Sequence, residues 1–283
     1  MSTTRYPKLL TPLLIILGIS ACASNAPAPP DIKLYVFQCG NIEVRDISLF
    51  SPGVNEGQSK QLTNSCYLIR HPQGDLFWDT GLPDSIGAEG IDMMDGAFHL
   101  SVSQPLRKQL AEINVTPEEI EWLGISHFHS DHTGNANWFA NATLLIQQQE
   151  YEAAFGENPQ RFGFKPNSYN QFNAENSKQL QGDHDVFGDG RVVIKSTPGH
   201  TPGHQLLYLD LPESGRIVLS GDLYHFTSNR EHRRVPSFNF NKQQTIQSME
   251  QIENLVDSTG AQFWIQHDKE QNANIKHAPE YYR

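Results

Sequence analysis

The sequence predicts an α/β chain in which two β-sheets pack together with helices outside, as one domain. Strand-like segments come in two batches, each followed by helix; layering of this kind buries the apolar faces of both element types. The 283 residues allow one large domain or two small ones. No internal repeat and no low-complexity linker after Pro30 divides them. Apolar residues at 37% and charged residues at 19% exclude a disordered chain. With 21 Lys and Arg against 32 Asp and Glu, the formal net charge of -11 excludes a general nucleic-acid binder, which needs cations against phosphate.

The first residues stand apart from the domain. Arg5 and Lys8 precede an apolar stretch, Leu9 to Ile19, that is too short to span a bilayer and ends in small residues. Residues 1–21 therefore read as a signal peptide, and Ile19-Ser20-Ala21-Cys22 resembles a bacterial lipobox. In such signals the Cys, here Cys22, is lipidated and becomes the new N-terminus; an ordinary cleaved signal is the alternative. Residues 22–31 form a small-residue, Pro-rich tether, and the folded domain is expected over 32–283. The expected location is the periplasmic side, held to the membrane only through Cys22. Ala23, in place of the Asp that favours inner-membrane retention, points to the outer membrane. Cys39 and Cys66 remain. Outside the cytoplasm a disulfide is permitted, and two buried free thiols fit their strand-like surroundings equally well.

Ile32–Gln38, Asn64–Arg70 and Asp75–Asp79 read as strands, the last running into Thr80-Gly81. Residues 83–100 read as irregular. A helix is predicted over Gln104–Ile113. Thr116-Pro117-Glu118-Glu119 is a capping box with Pro at the first helical position. The strand Trp122–Ile125 runs straight into Ser126-His127. A strand at Ala142–Ile146 and a helix at Gln148–Phe155 follow, then residues 156–185, polar and without clear period. Strands resume at Val192–Ser196, Gln205–Leu209 and Ile217–Leu219. Asn241 reads as the N-cap of a helix through Ser258, with an apolar stripe of Ile246, Met249, Ile252 and Val256. Phe263–Gln266 is the last strand, ending at His267.

The chain has 12 His, and their spacing is the main functional clue. In His127-Phe128-His129-Ser130-Asp131-His132, four potential ligands lie just after a strand. Neutral imidazole and carboxylate suit zinc and similar divalent ions. His127 and His129 alternate on an extended segment and can face one ion; Asp131 and His132, past the turn, face a neighbouring point. Two adjacent ions are the usual arrangement of two-metal hydrolases. The Gly and Pro residues of Thr197-Pro198-Gly199-His200-Thr201-Pro202-Gly203-His204 shape a tight loop that offers His200, while His204 reads as a supporting residue. Ser220-Gly221-Asp222 puts a carboxylate at a strand end, and His267 ends the last strand.

This order of motifs resembles the metallo-β-lactamase superfamily over nearly the whole mature chain, with Asp79-Thr80-Gly81 matching its early strand-end motif. The resemblance implies a four-layer αβ/βα sandwich with two mixed sheets and a dinuclear site at one edge. Carried over, His127, His129 and His200 hold the first metal, Asp131, His132 and His267 the second, and Asp222 bridges them; two divalent ions, zinc foremost, are the implied cofactors. GHTPGHQ, the segment Gly182–Gly190 and Gly221-Asp222-Leu223-Tyr224-His225 resemble the N-acyl-homoserine lactone lactonases of quorum quenching. That branch implies lactone hydrolysis by a metal-bridging hydroxide, with Asp131 or water as proton donor and Tyr224 either at the substrate carbonyl or in the core. Tyr224 stands two residues after Asp222, where some lactonases have three.

The implied partner is a small lactone; monomer and homodimer both remain open. Met93, Met94, Phe98, Phe162, Phe164, Tyr169 and Phe172 are candidates for an acyl groove. The rivals are a β-lactamase, whose branches tend to have Cys or Ser at Asp222, a thioesterase with an added helical C-terminal region, and a non-enzymatic metal-binding protein. The lipobox generates one test: labelled fatty acid enters the wild-type precursor but not Cys22→Ser, and equal labelling of both removes the anchor.

Overall fold

Successive residues of a strand point to opposite faces, so each buried strand serves two layers. Tyr35 and Phe37 join a cluster with Leu106, Leu110 and Ala154 on one side of the first sheet. Leu34 and Val36, the intervening residues, join Ile194, Leu207 and Ile217 between the two sheets. On the second sheet, Leu207 and Leu209 face inward, while Leu206 and Val218 meet Met249 and Ile252 outside. Helix, sheet, sheet and helix follow in that order, the expected four-layer sandwich.

The structure, a computed structural model, describes residues 1–4 and 30–283. The expected signal segment after residue 4, Cys22 and the tether through residue 29 lie outside the described residues.

The strands are β1 (Lys33–Val44), β2 (Lys60–His71), β3 (Gly74–Trp78), β4 (Ile91–Met93), β5 (Phe98–Ser101), β6 (Trp122–Gly124), β7 (Thr143–Gln147), β8 (Ser177–Leu180), β9 (His184–Asp185), β10 (Val192–Ser196), β11 (Gln205–Leu211), β12 (Gly215–Leu219) and β13 (Gln262–Trp264). The first sheet runs β4-β5-β1-β2-β3-β6-β7-β8 and the second β13-β12-β11-β10-β9. Both are mixed: β3, β6, β7 and β8 pair in parallel, as do β12 and β13, and the remaining pairs are antiparallel. The helices are α1 (Leu106–Glu112), α2 (Ser130–Thr133), α3 (Gln148–Phe155), α4 (Thr227–Glu231), α5 (Lys242–Thr259) and α6 (Lys269–Asn272).

Helix α5 starts where the sequence places it, because Asn241 accepts a hydrogen bond from Gln244 N. Met249 and Ile252 are buried, while Ile246 sits at the exposed edge of the stripe. The structure corrects two irregular readings. Residues 83–100 contain the hairpin β4–β5, added to the edge of β1, and residues 156–185 contain β8 and β9. These strands are short and half exposed, so they lack the apolar run that marks a strand in sequence.

Cys39 and Cys66 form a disulfide between β1 and β2, with Cα atoms 5.8 Å apart. The Asp79–Gly81 turn passes over it. Gly81 has φ +67, and a Cβ there would lie 2.3 Å from Cys39 Cβ, so only glycine fits. The soluble form beginning after Cys22 is expected to show no free thiol when denatured, and two after reduction. In the chain-entropy picture, reduction costs about 3–4 kcal/mol for a loop of this length. Two reactive thiols without reductant would contradict the pairing.

Candidate metal centre

Every ligand lies where a strand ends on one edge of the sandwich. His127 and His129 follow β6, and Asp131 and His132 begin the short α2. His200 lies in the β10–β11 loop, Asp222 follows β12, and His267 follows β13. Parallel pairing of β3 with β6 and of β12 with β13 brings their C-terminal ends together, as in other open α/β sites.

His127 Nε2 and His129 Nδ1 are 2.9 Å apart. His200 Nε2 is 3.2 Å from the first and 3.1 Å from the second. Three nitrogens facing each other this closely fit one tetrahedral ion, which with bonds of about 2.0–2.1 Å sets them roughly 3.3 Å apart. His132 Nε2 and His267 Nε2 lie 3.3 Å apart, with Asp131 Oδ2 at 3.8 and 3.7 Å. Asp222 stands between the groups. Its Oδ2 is 3.2 Å from His200 Nε2 and 3.6 Å from His127 Nε2. Its Oδ1 is 3.0 Å from His267 Nε2 and 3.3 Å from His132 Nε2. All seven residues named from the sequence are brought together, as two ligand groups joined by one carboxylate.

The other ring nitrogen of each His meets an oxygen. His127 Nδ1 faces Ser126 Oγ at 3.1 Å, His129 Nε2 faces Phe162 O at 2.9 Å, and His200 Nδ1 faces Asn239 Oδ1 at 3.0 Å. His132 Nδ1 faces Asp79 Oδ2 at 2.9 Å, and His267 Nδ1 faces Thr63 O at 2.8 Å. Such partners fix the ring orientation and turn the other nitrogen inward, and that nitrogen binds metal when unprotonated. Asp79 adopts φ +55, unusual outside glycine. Its second oxygen accepts from Ser126 N at 2.7 Å.

The charges favour cations. Burial would lower the pKa of His132, but Asp222, Asp79 and Asp131 together hold it well above the ordinary value. Burial and the neighbouring His132 keep His127 neutral. The buried Asp222 Oδ1 accepts no hydrogen bond. Buried carboxylates and inward imidazole lone pairs in this arrangement match divalent ions.

His204 supports the centre, as the sequence suggests. Its Nε2 accepts from Asp222 N at 2.9 Å, and its Nδ1 faces Thr197 O at 3.1 Å. A Cβ on Gly221 would lie 2.7 Å from that Nε2, so the close approach requires glycine.

Tyr224 is a correction. Its ring is buried with Leu206, Val218, Met249 and Ile252, and it packs at 5.8 Å on Phe263, beside Glu253 of α5. It does not face the metal ligands. His225, three residues after Asp222, lies beside it instead. His225 Nε2 is 3.1 Å from Asp222 Oδ2, and its ring stacks on His267 at 5.8 Å.

The acyl-groove candidates divide. Phe164, Tyr169 and Phe172 belong to the core, whereas Met93, Phe98 and Phe162 are partly buried. Sequence reading missed Phe238 and Phe240, which are exposed near the centre. Phe238 lies 6.0 Å from the His200 ring, and Phe240 lies 5.7 Å from Phe162. They sit in an aperiodic loop, where no pattern signals a site.

Purified protein is expected to carry close to two divalent ions per chain by elemental analysis, and His127→Ala or Asp222→Ala to lose metal and activity together. Full activity with one ion or none would overturn the dinuclear centre.

Residues 60–259 match the family model described as the metallo-beta-lactamase superfamily. The chain is 29% identical over 267 residues to the N-acyl homoserine lactonase AttM of Azorhizobium caulinodans, covering 89% of this chain and 99% of that protein. It is 30% identical over 258 residues to an N-acyl homoserine lactonase of a Bacillus species, covering 88% and 98%. A structure of the Bacillus thuringiensis AiiA lactonase, a variant with N-decanoyl-L-homoserine bound at its active site, superposes with a TM-score of 0.77. It shares 26% identity and covers 88% of this chain and 98% of that one. An N-acyl homoserine lactone hydrolase with the product N-hexanoyl-L-homoserine at its catalytic metal centre aligns equally well, at a TM-score of 0.77 and 26% identity over the same shares. With more than half of its length matched and the ligand set assembled at the edge of its sandwich, this chain belongs to the metallo-beta-lactamase superfamily.

Proposed function

We propose that the protein hydrolyses N-acyl homoserine lactones to the ring-opened acid, with two zinc ions, on the periplasmic side of the membrane and anchored through Cys22. The observation that carries the reaction is the set of two ligand groups joined by Asp222. The lactonase relatives, matched over almost their full length, direct the choice of substrate. The disulfide fits an oxidising compartment.

When bound, divalent ions make hydroxide available near neutral pH and polarise the lactone carbonyl. The chain's own residues then have distinct tasks. Asp222 is fixed by His204 at its backbone and by His225 at Oδ2. Asp131 and His129 are the two ligands that are not fully buried, and the Asp131 side chain is 24% exposed. With Oδ2 turned to His132 and His267, Oδ1 is free to carry a proton to the ring oxygen as the C–O bond breaks. Phe162, Phe238 and Phe240 form an aromatic rim, with the buried Phe50 packed behind Phe238, suited to an acyl chain. The Tyr224 hydroxyl plays no part in this scheme, and His225 is a positioning residue that acts through Asp222.

Wild-type protein is expected to open acyl-homoserine lactones with one proton released per turnover. Tyr224→Phe retains that rate, because the phenol faces α5. His225→Ala lowers it by about 10- to 100-fold, the usual effect of removing a partner of a metal ligand. Rapid cephalosporin or thioester turnover with no lactone opening would transfer the chain to a rival branch.

A further inference from the structure

Glu150 is a buried carboxylate that the scheme above does not use. It lies near the start of α3 and has no exposed surface. One oxygen accepts from Phe128 N at 3.0 Å and the other from Gly203 N at 2.8 Å. Among the described residues, no Lys, Arg or His lies within salt-bridge distance of it.

Both donors are placed tellingly. Phe128 separates His127 from His129, and Gly203 lies between His200 and His204. A single carboxylate therefore ties together the two loops that supply all three nitrogens of the first ligand group. The fit is close: a Cβ on Gly203 would lie 2.4 Å from Glu150 N. The second ligand group is tied separately: Asp79 faces His132 and accepts from Gln266 Nε2 at 3.0 Å, beside His267, while Thr63 and Asn64 hold His267 and Asp131.

We infer that Glu150 is a positioning residue for the first metal: it sets the spacing of the His127–His129 and His200 loops. A carboxylate offers a separate oxygen to each amide, where a neutral carboxamide would offer one oxygen and an NH2. Burial pushes its carboxyl up to about 7, and the two amide hydrogen bonds oppose that shift. The inference rests on the dinuclear reading of the centre.

Glu150→Gln keeps the size but presents an NH2 group to one of the two amides. Zinc titration against a chelating dye is expected to show one site weakened by about 10- to 100-fold and the other unchanged. Dialysis against the chelator then leaves about one ion per chain, where wild type keeps two. In the His267→Ala background, which lacks a ligand of the second site, the same change should remove the remaining ion. Cobalt substitution, read by absorption, gives a second readout that needs no turnover. If Glu150→Gln does not fold by circular dichroism, Gly203→Ala presses on the same contact from the opposite side and is read by the same titration. Two ions held with wild-type affinity, or equal weakening of both, would overturn the inference. Wild-type protein that binds no zinc would instead overturn the dinuclear reading.

Discussion

A single carboxylate, that of Asp222, reaches both groups of metal ligands at the edge of the sandwich. It is nearly buried, with Oδ2 turned to His127 and His200 and Oδ1 to His132 and His267. Much of the nearby structure serves this placement. Parallel pairing of β12 with β13 sets Asp222 and His267 at neighbouring strand ends. Gly221 lets the chain approach His204, which holds the Asp222 amide, and His225 holds one of the carboxylate oxygens. Burying an unpaired carboxylate costs several kcal/mol, so a fold that gathers Asp79, Asp131 and Asp222 at one edge is organised around cations.

The sandwich supplies the rigidity this requires. The core between the sheets ends at the metal edge, and Trp78 lies just before Asp79 in a strand buried on both faces. Helix α5 presses against the loop before His200. A Cβ on Gly199 would meet Thr245 N at 2.3 Å, and Ser248 Oγ donates to Pro198 O at 2.8 Å. Outer helices and inner sheets thus reach the ligands through backbone contacts, which hold geometry more firmly than exposed side chains would.

The mouth and the metal site are built from the same segments. The loop that carries the half-buried Phe162 also turns its carbonyl to His129. Asn239, which holds His200, lies between the exposed Phe238 and Phe240. Movement of the aromatic rim on substrate binding would therefore be felt by the ligands of the first metal.

The sequence by itself determined the fold class, the main strands, the capped helix α5 and the seven residues that gather at the candidate metal centre. These depend on local spacing: imidazoles at i and i+2 after a strand, glycines in a tight loop, acids and His at strand ends. Only the tertiary structure decided the rest. It paired Cys39 with Cys66, because pairing depends on the register of β1 against β2. It sent Tyr224 to α5 and His225 to the centre, because the path of the turn after β12 sets which side each residue faces. It moved three of the acyl-groove candidates into the core and brought Phe238 and Phe240 to the mouth. It also joined Glu150 to amides 22 and 53 residues away. Contacts between residues so distant in sequence leave no periodic or motif signal, since they form only once the layers have packed.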